Sequence, residues 1–298
     1  MFSKLLKTNR SKGILMSLLG VFILSPDGLI IRLLGLDNTT ILFYRGMFSA
    51  IAIVVLLLAY YRRQFLTIVF GIGLIGIING FMLAITNITF VYSIQLTSVA
   101  NTLLIVSSAP VFAAILSLII LKENQRPVTW LVIAISFIAI FIIGYGNYGT
   151  GSFFGDLLAL CCAISTGFSA VLARFKKDID LVPSVIVGSL LIALYAVLSA
   201  PISAIDSTQM TYLAILGFLV IPLAFAILTI APRFTSSAEV QLVFLLESIL
   251  GPFWVWVVIH ESPALNTIVG GSLLLASVFW LAIVSVNDSD ETILHNPV

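Results

Sequence analysis

Of the 298 residues, 60% are hydrophobic and only 9% are charged, with a formal net charge of +1. A soluble domain carries roughly 25% charged residues, so this chain has too little polar surface to cover a water-soluble core and is built for lipid. The adjacent Cys161 and Cys162 point apart on any helix, and His260 and His295 are the only histidines, so neither a disulfide framework nor a metal centre is expected.

The N-terminal residues 1–13 are basic (Lys4, Lys7, Arg10, Lys12) and lead into an apolar run. That run continues to Arg32 without a small-residue cleavage pattern, which predicts a first spanning helix and not a signal peptide. Ten apolar segments follow one another at 14–35, 41–60, 66–92, 98–121, 128–146, 154–174, 183–203, 211–231, 236–259 and 265–286. Each is near the ~20 residues that a helix needs to cross a bilayer. They are continuously apolar, not alternating, which predicts helices and excludes a membrane barrel. Lys and Arg set the orientation. With a cytoplasmic N-terminus, twelve of them (the four above with Arg62, Arg63, Lys122, Arg126, Arg174, Lys176, Lys177 and Arg233) fall inside, against Arg32 and Arg45 outside. Both termini are then cytoplasmic, including the acidic tail 287–298, and the membrane is the cell (inner) membrane.

The chain repeats itself. Thr97, Ser98, Ala100, Leu104 and Glu123 match Thr235, Ser236, Ala238, Leu242 and Glu261 without gaps. At a second fixed offset, Gly13, Leu15 and Arg32 match Gly155, Leu157 and Arg174, and Gly80 falls opposite Pro222. Two five-helix repeats, 14–146 and 154–286, therefore make up an all-α integral membrane protein. Because five is odd, the second repeat enters from the opposite side, the inverted arrangement of many secondary transporters.

Polar residues inside such segments mark pathways or helix contacts. Asp27 directly follows Pro26, where a carbonyl is freed; it is placed to bind a cationic group or a proton, or to pair with Arg45. Glu247 falls near mid-membrane and Glu239 near the cytoplasmic end, eight residues or ~12 Å apart along one helix. Asn79, Asn101 and Gln241 are amides that line a path or staple helices, as is Asn87. Asn101 stands opposite Glu239 in the repeat. Pro26, Pro110, Pro222 and Pro252 are the expected flex points. Ser107 and Ser108 satisfy backbone groups near Pro110, Gly76 and Gly80 give close packing, and Phe253, Trp254 and Trp256 anchor at the interface.

These features resemble the EamA-type transporters of the drug/metabolite transporter superfamily. The resemblance rests on Phe43-Tyr44-Arg45 opening helix two, Leu96-Thr97-Ser98 before helix four and Lys122-Glu123 closing it, and Leu246-Glu247 and Glu261 in helix nine. Ser248 stands where the family often has proline, and Ser25-Pro26-Asp27-Gly28 is not a general family feature. Members of the superfamily move amino acids, other metabolites or drugs, frequently outward, so the resemblance implies a carrier and leaves cargo and direction open; the expected partners are a small-molecule substrate and membrane lipid, with no nucleic acid.

The expectation is a non-enzymatic secondary-active transporter of a small polar organic solute, working by alternating access with Asp27 or Glu247 as proton carrier. The alternative is a lipid-carrier flippase or a non-transporting scaffold of the same fold. No phosphate-binding loop supports ATP coupling, and no serine–histidine or metalloprotease spacing supports intramembrane catalysis.

Overall fold

The computed structural model describes residues 9–120, 122, 127–146, 152–175, 179–231, 243–277 and 280. Among these, every regular element is helical. Six helical stretches are long and apolar enough to cross a membrane: Lys12–Leu34, Asn38–Gly71, Gly73–Leu96, Val99–Ile120, Phe153–Ala173 and Ser207–Leu228. Four shorter apolar helices, Trp130–Ile143, Ser184–Ser199, Glu247–Ile259 and Leu265–Ser277, occupy the remaining apolar segments of the sequence.

Several segments are broken, and the breaks have local causes. The first divides into α1 (Asn9–Leu24) and α2 (Asp27–Leu34) at Ser25-Pro26, since proline has no N–H to continue the ladder. Gly35, at φ 59°, closes α2 in the left-handed conformation that glycine adopts without strain. α3 (Asn38–Tyr61) is capped by Asp37, whose carboxylate accepts from the Thr40 N–H. The expected third segment at 66–92 is instead α4 (Phe65–Gly71) and α5 (Gly73–Leu96), because Gly73 at φ 57° turns the chain between them.

The fourth segment is α6 (Val99–Val106) and α7 (Ala109–Ile120), separated at Ser107-Ser108. There the hydroxyls of Ser107 and Ser108 donate to the carbonyls of Leu104 and Ile105, both at 2.6 Å. After α8 (Pro127–Gly146), α9 (Phe153–Phe175) and α10 (Ser184–Ser199) come α11 (Ser207–Ala214), a π turn (Ile215–Val220) and α12 (Ile221–Ile230). Pro222 sits just after the π turn, which absorbs its missing N–H. The ninth segment breaks at Leu245-Leu246, before α13 (Glu247–Ile259), and α14 (Leu265–Ser277) follows. α13 runs unbroken through Pro252, so that break is not the proline's. It falls at the same repeat offset from Ser107-Ser108 as Thr235 from Thr97, so the fourth and ninth segments are interrupted at equivalent places.

Packing also follows the duplication. α9 lies on α5 and on α6–α7, while α12 lies on α1 and α13 on α2. α10 lies on α3 and α5, and the π turn lies on α3. Exchanging the halves maps these pairs onto one another. At the centre, a Cβ on Gly46 of α3 would stand 2.6 Å from the Ser189 carbonyl oxygen of α10. One on Gly188 would stand 2.9 Å from the Gly80 carbonyl oxygen of α5. Gly46 and Gly188 are related by the offset of Gly13 and Gly155, so glycine is what lets these backbones meet. The main apolar core draws on both halves, with Ile31, Ile41, Leu42, Ile94 and Ile105 buried against Leu213, Leu216 and Ala224.

One end of the bundle is laced with polar contacts. Arg32 donates to the Thr97 carbonyl and lies 3.6 Å from Glu261, and Gln95 and Gln209 donate to the carbonyls of Leu36 and Leu34. Ser203 donates to Asp37 at 2.6 Å. At the opposite end of α3, Tyr61 donates to Asp180.

Candidate functional site

Asp27 and Arg45 meet in the interior, 2% and 3% exposed. The Arg45 guanidinium donates through Nη1 and Nη2 to the two carboxylate oxygens of Asp27, the Nη2 bond at 2.8 Å. Its Nε and Nη2 also donate to Asn87 Oδ1 at 3.2 and 3.1 Å, and Asn87 Nδ2 donates to the Leu83 carbonyl at 2.9 Å. The Phe90 ring lies under the guanidinium, 5.9 Å to its centroid. The pairing of Asp27 with Arg45 is thus realised as a fork on α2 and α3, steadied from α5. A charge buried this way is tolerable only when paired and hydrogen-bonded.

Each carboxylate opens a helix that follows a break. Asp27 is the first residue of α2 and Glu247 the first of α13, where free N–H groups and the helix dipole favour negative charge. Half-helices of this kind are what membrane carriers use to meet polar cargo. Glu247 is 7% exposed and makes no hydrogen bond among the described residues. α13 is held there by Ser248 Oγ donating to the Leu103 carbonyl (3.3 Å) and Trp254 Nε1 donating to Ser25 Oγ (3.0 Å). Trp254 is therefore a half-buried partner of the first break, whereas Phe253 and Trp256 are exposed.

A cleft with an interior of about 10 Å³, room for a single water, opens beside Arg45, too narrow as it stands for an organic solute. Its polar lining is Arg45 and Ser49 of α3, Asn87 of α5 and Ser189 of α10. Ile221 and Phe225 of α12 face it from the second half, and Phe225 is the repeat equivalent of Leu83 on the opposite wall. Ser49 also donates to the Gly217 carbonyl in the π turn at 3.2 Å, tying the lining to the eighth segment.

A model of the EamA-like transporter family matches residues 11–145 and 153–283. The chain belongs to that family. It is 24% identical over 229 residues to a protein of Bacillus subtilis (strain 168) described as "Uncharacterized transporter YoaV", covering 72% of this chain and 73% of the relative. A solved structure titled only "Crystal structure of protein" superposes with a TM-score of 0.65 over 92% of this chain and 99% of its own, at 17% identity, which speaks to the fold alone. The protein is accordingly a multi-pass membrane transporter, and the cleft lies between its two EamA-like repeats.

The other sequence-predicted residues fall elsewhere. Asn79 donates to Ser184 Oγ at 2.7 Å and accepts from Ser169 Oγ at 2.6 Å, a staple joining α5, α10 and α9. Asn101 accepts from Thr267 and donates to Thr97 and Asp156 at the laced end. Glu239 and Gln241 lie outside the described residues, as does Glu123. Asp156, buried in the first turn of α9 and accepting from Thr97 Oγ1 at 2.9 Å, was missed in the sequence. The signal was there: an acid inside an apolar run, one residue after the repeat glycine Gly155. Ser49, Ser189 and Phe225 gave no signal, since hydroxyls and phenylalanine are ordinary in apolar helices.

Proposed function

We propose that the protein is a secondary carrier that moves a small organic solute across the cell membrane by alternating access between two inverted five-crossing repeats. The observation that carries this reading is the cleft: both repeats line it, and its polar wall is a buried guanidinium held by Asp27 and Asn87. Inverted-repeat carriers place cargo at this junction. Ten crossings are supported by the end contacts. Arg32 with Thr97 and Glu261, Asp37 with Ser203, and Tyr61 with Asp180 each join segment ends that an alternating ten-crossing path brings to one face. With the basic residues inward, the laced end is external and the termini cytoplasmic. The solute and the surrounding lipid are then its partners, with movement outward when the solute accumulates inside.

Counterflow in liposomes reconstituted with the full chain tests the reading. A preloaded mixture of small metabolites should drive uptake of a labelled member, and both Asp27→Asn and Glu247→Gln should change its rate. Unchanged counterflow in both variants would remove these acids from the mechanism, and no counterflow with any mixture would overturn the carrier.

A further inference from the structure

The cleft has a charged, hydrogen-bonding end and an oily remainder. Beyond Arg45, Ser49, Asn87 and Ser189, its walls are Leu83, Val185, Ile192, Ile221 and Phe225. No acid lines it. Asp27 is behind Arg45 with both oxygens engaged, and Glu247 is not among the lining residues. An ammonium group entering here would meet a guanidinium and, among the described residues, no anion. A carboxylate would meet the donors that suit it, since the guanidinium has five N–H bonds and four hydrogen bonds are drawn from it. The remaining Nη1–H has no acceptor among the described residues.

Resting on the carrier reading above, we propose that the cleft takes a monocarboxylate with a compact apolar body and no amino group, and that each acid binds together with one proton. The carboxylate engages Arg45 and the body lies against the aliphatic walls and Phe225 as the two halves part. The proton follows from charge. Asp27 and Arg45 together are neutral, so a second carboxylate would leave one uncompensated negative charge in a water-poor interior, which is strongly disfavoured. Taking a proton from solution onto a carboxylate oxygen of Asp27 restores neutrality. One O–H bond forms, and the hydrogen bonds that Asp27 accepted from Arg45 pass to the cargo.

The elements packed against α2 are α13, α5, α11 and the π turn. With α3 they carry, besides Arg45, the ionisable groups Glu247, Tyr44, Tyr60, Tyr61, Tyr92 and Tyr212, while His260 lies beyond the far end of α13. Tyrosines ordinarily ionise near pH 10, so near neutrality the proton acceptors are the two carboxylates, and only Asp27 is bound to Arg45.

Titration calorimetry on the full chain in detergent tests this, with 4-methylpentanoate and leucine as probes because they differ only by the α-ammonium. Running each in two buffers of different ionisation enthalpy gives the protons taken up. The expected result is binding of 4-methylpentanoate with about one proton per acid, weakening roughly tenfold per pH unit above neutrality, and leucine weaker by about tenfold or more. Asp27→Asn should bind the acid without proton uptake and without that pH dependence. Leucine binding as tightly as the acid, acid binding with no proton uptake, or uptake persisting in Asp27→Asn would each overturn the proposal. The two-probe comparison needs no variant, so it decides even if Asp27→Asn fails to fold. Binding of leucine with exclusion of the acid would sink this inference and leave the carrier reading standing, since counterflow decides that separately.

Discussion

Arg45 is the residue on which the interior depends. Arg45→Gln would strand the Asp27 carboxylate in a site 2% exposed, and breaking a buried pair from one side costs on the order of 3–5 kcal/mol. The Asp27→Asn/Arg45→Gln double variant replaces both charges by amides and should recover most of that loss. The expected outcome is a large fall in thermal stability for the single variant, a small one for the double, and no counterflow in either. Counterflow in the double variant would make the pair structural only. Asp37 offers a test at the bundle end. Burial pushes its pKa up, but hydrogen bonds from Ser203, Thr39 and Thr40 outweigh this and hold its carboxyl well below the usual carboxylate range. A folded-state value below the unfolded one (near 3.9) gives stability that is present above about pH 4 and fades as pH falls further. Asp37→Asn should therefore lower the melting temperature at pH 7, with the gap to wild type closing in strong acid.

Among the elements, α3 and α10 are set by glycine contact and the fourth and ninth segments by their breaks. Gly46→Val would drive a side chain into the α10 backbone at Ser189 and Ala193, where no flexible atom can yield. It should cost at least about 1–3 kcal/mol, as overpacking does, and lower the yield of folded protein. Gly35→Ala meets open space and is strained only by its φ of 59°, so the expected cost is about 1 kcal/mol. Pro252→Ala should leave stability and counterflow near wild type, because α13 is continuous through that position and the interruption lies at Leu245-Leu246. A large change in either would return the flex point to the proline.

For the whole molecule, the path through the membrane is the property most readily tested. Cysteines placed singly at Arg63 and Asp206, both exposed, in a background lacking Cys161 and Cys162 should label from opposite sides: position 206 from outside the cell and position 63 from within. Labelling of both from one side would break the alternating path and the inverted repeat with it. The Arg32–Glu261 contact at the laced end is partly solvated, so Glu261→Gln should cost no more than about 1 kcal/mol.

The sequence alone determined the lipid setting, the helical class and the duplication, and it singled out Asp27 and Arg45 without deciding whether they pair. Those properties are written in composition, in the spacing of apolar runs and in the rarity of charge within them, and each is local or one-dimensional. The same rarity drew attention to Glu247. Only the tertiary structure decided that Arg45, not either acid, forms the charged wall of the cleft, and that Asn87 steadies the pair while Asn79 and Asn101 staple helices. It also moved the ninth break away from Pro252 and gave Ser49, Ser189 and Phe225 a common space. The reason is geometric: which face of a helix meets which neighbour depends on packing between segments over a hundred residues apart, and uniformly apolar helices carry almost no periodic signal of it.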